Sequence, residues 1–290
     1  MKQMISILSA VMTLFAFESP ARDVDKPQPL SWAPPSMEKP ATVEVSNENR
    51  DLKLDKEKDY IIKMPATPLS ADGGLSIYGG RNVVLVGGEI RHDAPLKEGQ
   101  SALTRRGIYI KGSTGTVHIE GLWITGENLA EGFNIDLRDN NILQIQNVRV
   151  DTVHGSREGH HADVIQTWAG PSELRIDRLT GSTTYQGFFL LPNQHFKGPA
   201  PKLFDLRRIN LKDGGYLLWQ GSEFPLRTED VWADPVPGRS WPDLVLWPKG
   251  SSVWKDVKQG APPAGDFVPA GVAGIKYVSP GYVKVDTVKP

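Results

Sequence analysis

Short apolar strand patterns recur in pairs along most of this 290-residue chain. The first members start 24 to 32 residues apart, at Leu75, Gly107, Phe133, Asp163, Gly187 and Gly215. Second members, such as VVLVGGEI from Val83 and LQIQNVRV from Leu143, follow closely, and no amphipathic helical pattern lies between the pairs. One pair cannot bury its apolar face alone. The repeat therefore predicts an all-β solenoid whose successive coils hydrogen-bond in parallel.

Stacked coils would form columns of like residues inside the fold. One predicted column consists of Ile77, Ile110, Ile135 and Ile165. The competing architecture is an antiparallel β-sandwich, but the two-residue hairpin turns that would mark it do not recur here. We therefore predict one β-helix domain over residues 43–290, with an irregular segment from about residue 235 that covers its far end.

The N-terminus has the order of a secretory signal. Lys2 precedes the apolar run MISILSAVMTLFAF, and small residues follow as far as Ala21. Residues 1–21 are thus predicted to be a signal peptide, with a buried N-terminal helix as the alternative. Residues 22–42 are rich in proline and are predicted to form an extended arm or linker. A secreted or periplasmic location follows, because the apolar run is too short to anchor the chain in a membrane.

Charge and cysteine content exclude several classes of site. The 33 basic and 34 acidic residues leave a net charge of −1, so there is no global attraction for nucleic acid or for an anionic membrane. The chain has no cysteine, which excludes disulfides, thiolate nucleophiles and cysteine metal ligands. The sequence carries no basic tail and no helical association seam, so a monomer is expected.

The repeats NVVLVGGEI, VHIEGLWITG and LQIQNVRVD resemble the pectate-lyase-like superfamily of right-handed parallel β-helix proteins. The resemblance covers roughly residues 43–232. It implies a single-stranded right-handed parallel β-helix of several rungs, followed by an irregular C-terminal segment. It also implies a long shallow groove on one outer sheet that accommodates a polysaccharide, because the superfamily includes polysaccharide lyases, glycoside hydrolases and pectin esterases.

The densest cluster of ionisable residues is the segment VDTVHGSREGHHADVIQ, residues 150–166. His160 and His161 are candidate bases, because an imidazole exchanges a proton near neutral pH. Arg157 is a candidate for holding a sugar carboxylate through two parallel hydrogen bonds. Asp163 is a further catalytic candidate, with a purely structural role in satisfying backbone groups as the alternative.

The next coils carry the predicted acid and substrate contacts. Tyr185 precedes its strand as His161 precedes Asp163, so stacking would bring it about 4.8 Å from the histidines; corner packing is the alternative. Trp168 and Trp219 end strands two coils apart, about 10 Å, which suits stacking against sugar rings, with core filling as the alternative. The predicted substrate-binding residues are Gln166, Trp168, Gln186, Lys197, Lys212 and Trp219.

These features predict a polysaccharide lyase that cleaves a uronic-acid polymer by β-elimination. Arg157 or Gln166 would neutralise the sugar carboxylate. His160 or His161 would remove the C5 proton, and Tyr185 would protonate the leaving oxygen. The expected partner is an acidic polysaccharide, and neither nucleic acid nor a membrane is expected.

Two other functions stay open on the sequence alone. A glycoside hydrolase would pair Asp163 with Asp136 or Glu158. A non-catalytic carbohydrate-binding or surface-structural solenoid is the other hypothesis, because a fold does not fix a function. No cofactor is expected, with calcium held between Asp136 and Asp163 as the alternative.

Overall fold

The structure, a computed structural model, describes residues 26–138, 140–249 and 252–282; the predicted signal peptide lies outside these ranges. The described residues form nineteen β-strands, two short 3-10 turns at Ala102–Arg105 and Ser252–Trp254, and no α-helix. Valine, isoleucine and leucine dominate the strands and suit a pleated, buried surface. The strands are β1 (Ala41–Glu44), β2 (Asp51–Leu54), β3 (Tyr60–Lys63), β4 (Leu75–Gly79), β5 (Val83–Val86), β6 (Glu89–Arg91), β7 (Arg106–Lys111), β8 (Thr116–Glu120), β9 (Trp123–Thr125), β10 (Glu131–Asp136), β11 (Ile142–Val153), β12 (Asp163–Ala169), β13 (Glu173–Thr183), β14 (Gln186–Leu190), β15 (Leu203–Lys212), β16 (Tyr216–Gln220), β17 (Leu226–Asp234), β18 (Leu246–Trp247) and β19 (Lys258–Gln259).

The strands belong to two large sheets in which neighbouring strands run parallel. The order in the eleven-stranded sheet is β1-β3-β5-β8-β11-β13-β15-β17-β19, with β6 and β9 paired beside this path. The order in the eight-stranded sheet is β18-β16-β14-β12-β10-β7-β4-β2. The chain crosses between the sheets at almost every step, so strands of successive repeats become neighbours. This all-parallel arrangement is compatible with a solenoid in general.

The prediction of a single-stranded right-handed parallel β-helix is wrong. The strands form two large parallel sheets, of eleven and eight strands, that lie side by side. The sequence repeat predicts that strands recur and pair across coils. It does not predict how these strands are distributed between sheets. The second strand of each central repeat lengthens to 12, 11 and 10 residues in β11, β13 and β15, and these long strands build one broad sheet.

The core consists of aliphatic columns from both sheets. Ile77, Ile110 and Ile135 are fully buried register neighbours, as predicted. Ile165 is also buried, but it pairs with Phe133, and the position beside Ile135 belongs to Thr167. The prediction misplaced Ile165 because it matched identical side chains, whereas a buried threonine occupies the column.

Both ends of the described chain pack on the outer face of the eleven-stranded sheet. Leu30 donates its backbone N–H to the carbonyl of Gly281 (2.8 Å), which joins the two ends. Residues 260–282, here called the C-terminal tail, run from the last strands back to β8, where Tyr277 donates a hydrogen bond to Glu120 (3.0 Å). Gly121 has a φ of +66°, and a side chain there would overlap the Tyr277 ring. The outer side chains of the eight-stranded sheet, in contrast, stay partly exposed along much of its length.

Candidate active-site groove

A continuous column of polar and aromatic side chains follows the outer face of the eight-stranded sheet. Strand alternation directs these residues outward, because neighbours such as Ile165 and Phe188 point into the core. Successive members are register partners on adjacent strands, about 4.8 Å apart. From β7 to β18 the column consists of Tyr109, Asn134, Gln166, Phe189, Trp219 and Trp247.

Two loops flank this column. Residues 154–162 connect β11 to β12, and the Thr184 hydroxyl holds this loop through bonds with the N–H and carbonyl of Gly155 (2.9 and 2.8 Å). Residues 191–202 connect β14 to β15 on the other side, where Gln194 lies 3.4 Å from Gln166. The column and the two loops together are called the groove below.

His160 contacts a buried carboxyl group at the edge of the groove. Its Nε2 lies 2.7 Å from Oε1 of Glu131, and its side chain is 28% exposed. The second oxygen of Glu131 accepts hydrogen bonds from the Asp163 backbone N–H (3.2 Å) and from the Asn134 amide (3.3 Å). Burial raises the pKa of Glu131, while His160 beside it opposes this shift. The 2.7 Å approach places the imidazole beside the carboxyl group, although His160 Nε2 does not meet hydrogen-bond geometry there.

Asp163 lies beside Glu131 and is 1% exposed. Its Oδ1 is buried and has no hydrogen-bond partner among the described residues. Burial, reinforced by the charge of Glu131, raises the pKa of Asp163 well above its ordinary value. Of the two buried carboxyls, Asp163 is raised in pKa by both burial and the charge of Glu131, whereas Glu131 has His160 beside it, so the protonated form is favoured more strongly at Asp163.

A local irregularity turns Asp163 toward this site. Val164 and Ile165 are consecutive and both fully buried, so strict alternation fails at the start of β12. Gly132 makes room for the change, because a side chain there would overlap the Val164 carbonyl oxygen. Asp163 and Gln166 therefore both lie on the outer side of the strand, which alternation alone does not predict.

Tyr185 lies against the loop of residues 154–162, as the spacing of the coils predicts. The rings of Tyr185 and His161 are 5.1 Å apart between centroids, and Tyr185 also contacts Tyr216 at 5.3 Å. Burial, followed by the effect of Tyr216, raises the pKa of the Tyr185 phenol, so it stays protonated at neutral pH. His161 is exposed, with Nε2 3.0 Å from the carbonyl oxygen of Arg157.

Arg106 supplies a positive charge one strand before Glu131, with which it is in register. Its guanidinium lies 4.4 Å from the ring centre of Tyr109, and it donates a hydrogen bond to Asn134 (3.4 Å). Within the described ranges, no carboxylate forms an ion pair with Arg106, and its buried Nε has no hydrogen-bond partner. An arginine in this state suits an anionic group brought by a ligand.

The other predicted residues are only partly brought together. Trp168 lies on the groove side, with its ring centroid 5.9 Å from that of His195, and Trp219 belongs to the column. Gln186 is buried between Asp163 and Tyr216 in the strand register, and Lys197 is exposed in the loop after β14. Lys212 is not at the groove. It ends β15 in the other sheet, where it binds Asp266 (3.1 Å).

Four residues of the site, Arg106, Tyr109, Glu131 and Asn134, were missed from the sequence. A signal for them exists in the repeat itself. Arg106, Glu131 and Asp163 each stand two residues before a core residue of the same column, namely Ile108, Phe133 and Ile165. Aligning the coils on that core column, rather than searching for local clusters, would have brought the three ionisable groups together.

Comparisons with protein-family models, with curated proteins and with solved structures give no match. Nowhere in the described ranges do three or more histidine, aspartate or glutamate side chains come together as metal ligands. Among the same residues, no helix is long and apolar enough to cross a bilayer. The assignment of a function therefore rests on the geometry of the groove.

Proposed function

We propose that this chain is a carbohydrate-active enzyme, specifically a polysaccharide lyase that cleaves a uronic-acid polymer by β-elimination in the groove. One observation carries the proposal: a partly exposed histidine, His160, lies 2.7 Å from a buried carboxyl group, Glu131, beside the outward-facing polar and aromatic column. The resemblance of the repeats to pectate-lyase-like proteins agrees with it. A signal peptide over residues 1–21 would bring such an enzyme outside the cytoplasm, where polysaccharides are met.

The proposed base is His160. With Nε2 2.7 Å from the Glu131 carboxyl, Nδ1 is the nitrogen that would take the proton, and the nearby carboxylate would stabilise the imidazolium that forms. The carboxyls of Glu131 and Asp163 are too deeply buried to reach a sugar carbon themselves. His160 is therefore the member of the cluster that can meet the substrate.

The proposed substrate is acidic because the cationic side chains of the groove match a sugar carboxylate. Arg106 has no carboxylate partner in the described part of the chain, and Arg157 is exposed in the loop beside His160. Elimination requires that the carboxylate next to C5 be neutralised, since this acidifies the C5 proton. Arg106 or Arg157, assisted by the Gln166 amide, would supply that interaction.

The proposed acid is Tyr185. His160 takes the C5 proton, the electrons of that C–H bond become the C4=C5 double bond, and the C4–O bond breaks. The leaving oxygen takes the phenol proton of Tyr185. Tyr185 then regains a proton from solvent. Support for this role comes from the contact between Tyr185 and His161 and from the burial that keeps the phenol protonated.

A glycoside hydrolase is the second candidate, favoured by the adjacent carboxyls of Glu131 and Asp163. Hydrolysis needs two carboxyls that flank the scissile bond, and each of these residues is only 1% exposed. Asp136 is a poor acid: although burial opposes the shift, Arg138 (2.7 Å) and Lys111 (3.3 Å) lower its pKa. The geometry therefore favours the lyase.

The test is to incubate the mature protein with polygalacturonate, alginate and hyaluronate while following ultraviolet absorbance of unsaturated uronate ends. His160→Ala should abolish the signal, and His154→Ala should retain it, since His154 is an exposed histidine of the same loop. Parallel samples with EDTA and with added calcium test the alternative of a calcium requirement.

The outcomes separate the three functional hypotheses. New reducing ends without ultraviolet absorbance would replace the lyase by a hydrolase. Binding without any product would leave a carbohydrate-binding protein. No product from any uronate polymer, over a range of pH, would overturn the lyase proposal.

A further inference from the structure

Beyond β12, every residue of the column is aromatic. The ring centroids of Phe189 and Trp219 are 5.6 Å apart, and those of Trp219 and Trp247 are 5.3 Å apart with ring planes at 29°. Trp247 is 41% exposed at the end of the column. A stacked tryptophan pair left this open to solvent is a large apolar surface that neither the core nor the proposed chemistry at His160 uses.

A shallow cavity of about 150 Å³ lies beside this pair. Its apolar wall includes Tyr216, Leu244 and the two tryptophans, and its charged residues are Asp243 and Lys249. An apolar wall with a few polar groups is the usual composition of a site for a small ring-shaped ligand. A pyranose ring has this complementary form, because one face carries C–H groups and the edge carries hydroxyls.

We infer that Trp219 and Trp247 form a distal sugar-binding subsite for the same acidic polysaccharide. This inference rests on the proposed function, because it extends the same groove. The column runs in register from Gln166 through Phe189 and Trp219 to Trp247, without a gap. The three strand spacings between Gln166 and Trp247 amount to about 14 Å. Lys249 adds a positive charge at the far end, which suits a uronate carboxylate.

The geometry also sets the direction of the polymer. A chain that reaches both His160 and Trp247 must run along the stacking direction of the strands rather than along any one strand. Oligosaccharides that are too short to span this distance can occupy only one of the two places. Loss of the distal subsite should therefore raise KM for long substrates and leave turnover of the shortest cleaved oligosaccharide unchanged.

The experiment measures binding and cleavage separately. Binding of alginate, polygalacturonate and hyaluronate is measured by titration calorimetry with the full chain carrying His160→Ala, so that no cleavage occurs. Adding Trp247→Ala should weaken binding about tenfold, which is the scale of one lost stacking contact with its buried area. Trp247→Phe should restore most of the affinity. Trp232→Ala, a partly buried tryptophan on the other sheet, is the matched control and should bind like the parent.

The outcomes distinguish the subsite from the lyase proposal. Unchanged affinity in Trp247→Ala overturns the subsite even if unsaturated product is formed by the wild type. A Trp247-dependent loss of affinity supports the subsite even if no product forms, in which case the lyase proposal alone fails. If the wild type elutes as a dimer and Trp247→Ala as a monomer in size-exclusion chromatography, the tryptophan pair is a self-association surface and the subsite is overturned. Absence of binding by every polymer refutes both claims.

Discussion

Replacing Asp163 with asparagine is expected to make the protein more resistant to rising pH. The Asp163 carboxyl is enclosed beside Glu131, and burial together with that charge raises its pKa well above the ordinary 3.8. In the unfolded chain the same carboxyl ionises near its ordinary pKa. Between these two pKa values the native protein holds a proton that the unfolded chain releases. The free energy of unfolding of the wild type therefore falls as the pH rises through this window.

The size of the effect follows from this proton. One proton released on unfolding costs about 1.4 kcal/mol of stability for each pH unit. Asparagine has nearly the same shape and does not ionise, so Asp163→Asn escapes this loss. Above the ordinary pKa of an aspartate, the stability of the variant relative to the wild type should therefore rise with pH, with a slope of at most about 1.4 kcal/mol per pH unit, until the pH passes the raised native pKa of Asp163.

Urea unfolding followed by tryptophan fluorescence at several pH values measures this difference. Asp256→Asn, at an exposed position, is the control, and its difference from the wild type should not grow with pH. A stability difference between Asp163→Asn and the wild type that is the same at every pH would refute the reasoning. It would mean that Asp163 is as ionised in the native protein as in the unfolded chain.

Four further predictions concern the groove and the tail. Glu131→Gln should lower kcat on the polymer about a hundredfold, because a neutral amide no longer supports the His160 imidazolium; a loss under threefold in the absorbance assay would contradict this. Arg106→Gln should raise KM about tenfold with little change in kcat, as steady-state kinetics on a uronate polymer would show, since a charge-assisted contact is lost. Tyr277→Phe should cost about 1–3 kcal/mol in urea unfolding, because buried Glu120 loses a donor. Dialysis against EDTA should leave activity unchanged, because the proposed base and acid, His160 and Tyr185, transfer protons without a metal; recovery of a lost activity by calcium would speak against it.

Much of the strand content could be predicted from the sequence, because apolar alternation and coil spacing are local properties. The division into two sheets could not, since it depends on which strands pair across dozens of residues. Lys212 illustrates the difference. It lies one coil beyond the predicted site in the sequence, yet β15 carries it to the other sheet, where Asp266 binds it.

The candidate site was predictable only where stacking alone decides proximity. Tyr185 lies by His161 because equivalent positions on neighbouring coils are adjacent. Glu131 was missed because it belongs to an earlier coil, outside the local cluster of residues 150–166. The outward position of Asp163 depends on the break in alternation at Val164, which Gly132 on the neighbouring strand permits. That packing condition leaves no mark in the local pattern.

The C-terminal tail has a consequence for the order of folding. In most repeat arrays each unit touches only its neighbours, so the ends can unravel or form independently. Here Asp266 binds Arg149 in β11 and Lys212 in β15, and Tyr277 reaches Glu120 in β8. Coils synthesised earlier thus receive their outer cover from residues synthesised later, at a large sequence separation that slows folding. Proteolytic removal of this short tail would accordingly uncover strands along half the length of the eleven-stranded sheet, not only at its end.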